Sequence, residues 1–408
     1  MNSNKKNALI LALTAGVAIV AAPLQASAEY KGPPIKIGVL NDQSSLYADI
    51  AGPGGVIAAK LAVEDFGAAA KGMKVEIISA DHQNKADVGA GIARRWWDQE
   101  GVDLITDVGT SSVGLAVNEV ARSMGKAYIN TGSATSDLTG KACAPTTIHM
   151  TYDTWMLAHG TGTAIVKQGG KSWFFVTADY AFGHALERDT SAVVKANGGT
   201  VLGDVKAPLN TQDFSSFMVQ AQASKAQVIG LANAGGDTVN AIKTAGEFGI
   251  TKTQMLAGLL VFLPDIHALG LKTTQGLTFT TPWYWDLNDD TRAFAKKVAA
   301  ANKGKYATFN QAGNYSAVYN YLRAVEAVGS PKDAKAVIAK MKEIGADDKL
   351  FGKGPIRADG RALHDVYLVQ VKKPEESKYP YDYYKILATI PANEAFRPLK
   401  DGGCPLVK

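Results

Sequence analysis

Two hydroxyl-rich stretches are the places where this chain can do chemistry. Asp107-Val108-Gly109-Thr110-Ser111-Ser112 and Thr131-Gly132-Ser133-Ala134-Thr135-Ser136 each follow a short apolar run and each lead toward a helical pattern. Hydroxyls and free backbone N–H groups at a helix start hold a carboxylate without a buried Lys or Arg. The same residues also serve as plain N-caps, but two equivalent loops at neighbouring strand ends favour the carboxylate. His82, in Asp81-His82-Gln83-Asn84, is either a donor for a ring hydroxyl or a solvated loop residue. Asn233 and the Gly235 backbone end another apolar run, and Tyr47 is a candidate wall. In Pro282-Trp283-Tyr284-Trp285 strict alternation puts Trp283 and Trp285 on one side, where they either stack on a planar ligand or pack internally. His149, His159, His184, His267 and His364 show no metal-ligand spacing, and no metal or cofactor is expected.

The elements that must position these groups alternate. Ile35–Leu40 reads as a strand, followed by the Gly52-Pro53-Gly54-Gly55 loop and a helix with Ile57, Leu61, Ala62, Val63 and Phe66 on one face. Strands at 75–78, 102–106 and 127–130 alternate with helices at 86–100 and 113–124. The pattern then restarts, with helices at 155–168, 181–196, 214–224 and 237–248 and strands at 172–177, 201–205, 228–231 and 255–260. Strand, helix, strand at this spacing implies parallel pairing with right-handed crossovers. The expected class is α/β, with two doubly wound parallel-sheet lobes and a cleft between them at the carboxyl ends of the strands.

The 408 residues are 46% apolar and 20% charged, an ordinary globular mixture that favours two domains over one. Of the formal charge of +5, Lys5 and Lys6 supply two, and the remainder is too weak to indicate nucleic acid. Met1–Ala28 has a basic start, an apolar run from Ala8 to Ala22 and the small-x-small ending Ala26-Ser27-Ala28, which reads as a cleaved export signal. A membrane anchor would need about 20 apolar residues. No Cys lies near the cleavage point, which excludes a lipoprotein. Cys143 and Cys404 both lie close before a Pro in irregular polar segments, and in an oxidising compartment they are expected to form a disulfide.

The export signal, the Ile35–Leu40 strand with Leu61-Ala62-Val63-Glu64-Asp65, the Thr110-Ser111-Ser112 and Ser133-Ala134-Thr135 loops, and Asp179-Tyr180-Ala181-Phe182-Gly183 resemble the periplasmic branched-chain amino acid binding proteins of ABC importers. The resemblance covers nearly the whole chain after the signal. It implies a type I periplasmic binding fold with a three-stranded hinge, a ligand trapped by lobe closure, and delivery to an inner-membrane permease. Carried over by position, Thr110, Ser111, Ser133, Ala134 and Thr135 bind the ligand carboxylate, while Tyr180 and Phe182 cover it from the second lobe. The expected lobes are 31–148 plus 281–345 and 149–280 plus 346–390, with the last hairpin at 350–371 in the second lobe and 391–408 as a tail.

One departure stands out. Amino acid binders of this family place an acidic residue near a second-lobe strand end for the ligand ammonium, whereas this chain has Ala257-Gly258-Leu259-Leu260-Val261-Phe262-Leu263 there, with no carboxylate before Asp265. An unpartnered buried ammonium costs several kcal/mol. Leu260, Trp283 and Trp285 therefore suggest an aromatic acid, as in the aromatic-acid binders of the family; an amino acid or amide remains the alternative. The chain lacks a Gly-x-Ser-x-Gly elbow, a Gly-Lys-Ser/Thr loop and a His-Glu-x-x-His pair. The reading is a monomeric binding protein; an exported α/β enzyme and a sensory receptor are the rivals.

Overall fold

The computed structural model describes residues 29–407, so the expected export signal lies outside the described residues. The chain runs β1 (Ile35–Asn41), α1 (Gly52–Asp65), β2 (Val75–Asp81), α2 (Ala86–Asp98), β3 (Leu104–Asp107), α3 (Ser111–Met124), β4 (Ala127–Asn130) and β5 (Thr147–His149). These five strands pair in parallel in the order β2-β1-β3-β4-β5. Ile37, Val39, Leu104 and Ile129 are fully buried, as expected of central strands covered on both faces by helices.

A second parallel sheet, β7-β6-β8-β9, is built from β6 (Ser172–Ala178), β7 (Thr200–Ala207), β8 (Val228–Ala232) and β9 (Met255–Gly258). Its helices are α4 (Thr154–Leu157), α5 (Thr163–Lys167), α6 (Ala181–Ala196), α7 (Ser215–Ala223), α8 (Gly236–Glu247), α9 (Leu263–Leu269) and α10 (Leu271–Thr274). The helix expected over 155–168 is divided by a π turn at Ala158–Gly162. The strand expected over 255–260 ends at Gly258, because the backbone turns toward α9.

The chain then crosses back. Strand β10 (Thr278–Thr281) precedes α11 (Asp289–Ala301), α12 (Phe309–Val328) and α13 (Ala334–Ile344); α12 packs along α1 in the first lobe. The expected hairpin of 350–354 with 366–371 does not form. Instead β11 (Ala346–Asp348) pairs with β12 (Gly352–Gly354), and Asp348 accepts hydrogen bonds from Ser316 and Asn320 of α12, which hold this hairpin on the first lobe. Strand β13 (Val366–Val371) lies between β10 and β14 (Tyr384–Ile390) in an antiparallel sheet beside the second lobe. The tail is not simply extended: it carries the short α14 (Ala392–Ala395) and a 3₁₀ turn at Leu399–Gly402. Cys404 is disulfide-bonded to Cys143, with the Cα atoms 5.6 Å apart.

Candidate functional site

At the carboxyl ends of the strands, between the two parallel sheets, lies a small cavity with about 20 Å³ of free volume. Its walls on the first-lobe side are Tyr47, Ile50, Ala51, Gly109, Gly132, Ala134 and Asn310; Tyr152 lies at the crossing, and Tyr180, Phe182, Ala234, Leu260 and Phe262 close it from the second lobe.

Helix starts bring these residues together. Thr308-Phe309-Asn310-Gln311 forms a capping box: Thr308 Oγ1 accepts the Gln311 N–H, and Gln311 Oε1 accepts the Thr308 N–H, both at 3.2 Å. Thr308 Oγ1 also donates to the Ile50 carbonyl at 2.7 Å, which ties the α12 start to the loop before α1. Gly132 is needed for close approach, since a Cβ there would stand 2.6 Å from Gly109 Cα. Gly109, Tyr180, Phe182, Ala234 and Asn310 each lie within the first turn of α3, α6, α8 or α12 or just before it. The partial positive ends of four helices thus surround one apolar space.

The two lobes touch across the cavity. The Tyr47 and Tyr180 hydroxyls are 2.8 Å apart, and burial pushes both phenols well above their ordinary pKa. Gly235, at φ +57°, lies beneath the first-lobe loop, where a Cβ would be 3.1 Å from Tyr47 Cδ1. This is a closed cleft.

Among the described residues, none that lines the cavity carries a carboxylate, an ammonium or a guanidinium. Asp265 is not free for a ligand: its Oδ2 accepts the Phe262 N–H at 2.8 Å as the cap of α9, and burial raises its pKa to about 7. Asp237 accepts the Asn210 N–H at 3.1 Å, and burial raises it to about 6. Asp107 lies behind the wall, accepting from Asn41 and Asn310, each at 2.9 Å; burial outweighs these bonds and raises it to about 6.

Of the residues singled out in the sequence, Tyr47, Ala134, Tyr180, Phe182 and Leu260 line the cavity. The four hydroxyls beside them do not. Ser133 Oγ lies 2.6 Å from the Val108 carbonyl and 2.9 Å from that of Thr110, so its single hydrogen fastens the loop before α3. Ser111 Oγ accepts the Thr135 N–H at 3.1 Å, Thr135 Oγ1 caps a 3₁₀ turn, and the Thr110 hydroxyl donates to Asn84. Asn233 and Gly235 flank lining Ala234; the Asn233 Oδ1 accepts from Thr238 at 2.7 Å. His82 is buried away from the cavity, its Nδ1 accepting the Asn84 N–H at 3.0 Å, and burial lowers its pKa to about 4.

Trp283 and Trp285 also lie elsewhere. Trp283 packs edge-on against Phe294, while Trp285 meets Tyr306 edge-on and donates its Nε1 hydrogen to the Tyr381 carbonyl at 2.9 Å. Sequence reading missed Ile50, Ala51, Gly109, Gly132, Tyr152, Ala234, Phe262 and Asn310.

The profile of a family described as periplasmic binding protein matches residues 34–378. A periplasmic binding protein from Burkholderia mallei is similar in structure at TM-score 0.89, with 54% identity over 92% of this chain and 99% of that one. A branched-chain amino acid ABC transporter periplasmic ligand-binding protein from Burkholderia xenovorans LB400 follows at TM-score 0.81 and 42% identity, over 92% of this chain and 100% of that one. An ABC transporter solute-binding protein from R. palustris, in complex with benzoate, shares the fold at TM-score 0.76 and 20% identity, over 89% and 99% of the two chains. With two parallel-sheet lobes closed over an uncharged cavity and a family match across most of its length, this chain belongs to the periplasmic binding protein family.

Proposed function

We propose that this protein is the ligand-binding component of an ABC importer and that its ligand is a small carboxylate with an aromatic or otherwise apolar body. One observation carries the reading: an aromatic and aliphatic cavity with no charged residue in its walls and four helix N-termini around it. Such a space suits an anion held by backbone N–H groups while its body is buried by Tyr152, Tyr180, Phe182 and Phe262. An α-ammonium would have no carboxylate to meet, because Asp237 and Asp265 are committed to backbone N–H groups. The benzoate bound by the R. palustris neighbour is a ligand of this kind.

In this reading 1–28 is a cleaved export signal, and the mature chain works in the periplasm as a monomer that hands its ligand to an inner-membrane permease. The first lobe comprises 31–148 and 281–354, and the second 149–280 with the sheet around β13 and β14. A branched-chain amino acid is the second reading, favoured by the description of the B. xenovorans protein. Calorimetry against benzoate, cinnamate, leucine and valine separates the two. Saturable one-to-one binding of an aromatic acid without turnover is expected; tight leucine or valine binding with none of the aromatic acids would overturn the choice.

A further inference from the structure

Asn310 lines the cavity with an acceptor that nothing satisfies. It sits in the first turn of α12 and is 1% exposed. Its Nδ2 donates to Asp107 Oδ1 at 2.9 Å, which fixes which end of the amide is which. Its Oδ1 is buried and has no hydrogen-bond partner among the described residues.

The surroundings leave the amide little freedom to turn. Asp107 is held by Asn41 at 2.9 Å, and its own carbonyl accepts the N–H groups of Thr131 and Gly132, both at 3.2 Å. Gly132 forms the facing wall, where a Cβ would stand 2.9 Å from Asn310 Oδ1. A flip of the amide would aim its Nδ2 at the cavity and its Oδ1 at the Asp107 carboxylate, placing two acceptors against each other. A buried acceptor left unpaired is costly, and a hydrogen supplied by the ligand removes that cost.

We propose that Asn310 is a specificity-determining residue whose Oδ1 accepts a hydrogen bond from the ligand, so that the ligand carries a hydroxyl or N–H donor on the part that faces α12. Resting on the reading above, this narrows the ligand to an apolar or aromatic carboxylate bearing such a donor, a hydroxyaryl acid being the simplest case. A hydroxyl offers one hydrogen to one orphaned acceptor, whereas an ammonium brings three hydrogens and a full charge into walls that hold no carboxylate.

The test is calorimetry on the full mature protein with matched pairs: benzoate against 3- and 4-hydroxybenzoate, and 4-methylpentanoate against leucine. Wild type is expected to favour one hydroxybenzoate over benzoate by about tenfold, and Asn310→Ala to reduce that ratio to near one. Equal wild-type affinities within both pairs, or a preference that persists in Asn310→Ala, would overturn the proposal. If no aromatic acid binds but leucine exceeds 4-methylpentanoate in an Asn310-dependent way, the donor rule stands and the aromatic reading falls. Because the wild-type ratios are informative alone, a variant that fails to fold leaves the proposal falsifiable.

Discussion

The hydroxyl pair of Tyr47 and Tyr180 gives a quantitative handle on closure. The two oxygens are 2.8 Å apart and come from opposite lobes, Tyr47 buried and Tyr180 partly buried, so one phenol donates and the other accepts. Tyr180→Phe removes one partner and strands the other. An orphaned buried hydroxyl costs about 1–3 kcal/mol, or roughly 5- to 150-fold in the closed-to-open ratio. The double substitution Tyr47→Phe with Tyr180→Phe removes both oxygens and leaves nothing unpaired, so it is expected to close better than either single variant. Small-angle scattering of the ligand-free protein reads the closed fraction, and calorimetry with benzoate reads its effect on affinity. Additive losses, with the double variant the worst, would refute the argument, since two independent sites add while a coupled pair does not.

Other predictions concern stability and fit. Asp265 binds its proton more tightly folded than unfolded, with a pKa of about 7; its contribution therefore weakens as pH rises from about 4 to 7. Asp265→Asn is expected to gain on wild type by a few kcal/mol over that window in urea titrations, and a pH-independent difference would contradict the assignment. A Cβ on Gly236 would stand 2.8 Å from Leu46 Cδ1 across the cleft. Because Leu46 Cδ1 is the free end of a flexible side chain, Gly236→Ala should shift that rotamer and weaken closure only slightly, and a large opening in scattering would count against this contact. Cys404→Ser opens a bridge spanning 261 positions and should lower stability by up to about 5 kcal/mol, read as a lower midpoint in denaturant. Ser133→Ala should lower the melting temperature with little selectivity among carboxylate ligands; a loss confined to ligand binding would contradict its role in fastening the loop.

Much of the architecture was written in local patterns. The run from Ile35 and the Ala127–Asn130 strand are buried apolar segments between helical periodicities, and such segments become parallel strands with little freedom to do otherwise. The cysteines were legible because only two exist. Side-chain direction at strand ends was not legible. Ser133 turns toward the carbonyls of Val108 and Thr110 because α3 passes overhead, a fact set by another segment of chain. Trp285 faces Tyr306 and Tyr381, which come from later in the sequence. Asn310 reaches the cavity only because α12 lies along α1, and no pattern within its own helix announces that packing. The hairpin expected over 350–371 does not form for the same reason: Asp348 meets Ser316 and Asn320, and its strand pairs with Gly352–Gly354.

The bonded tail changes the mechanics of the whole molecule. The chain itself passes between the lobes three times: after β5, after β10 and before β13. Beyond β14 the tail returns to the first lobe, where Arg397 donates to the Ser136 carbonyl at 3.0 Å, Phe396 lies under the Arg361 guanidinium, and Cys404 is bonded to Cys143. Residues 391–404 are thus a fourth covalent link between the lobes, laid against the third crossing through Arg357 and Arg361. Severing the disulfide would release the tail from the first lobe while leaving the residues that line the cavity untouched.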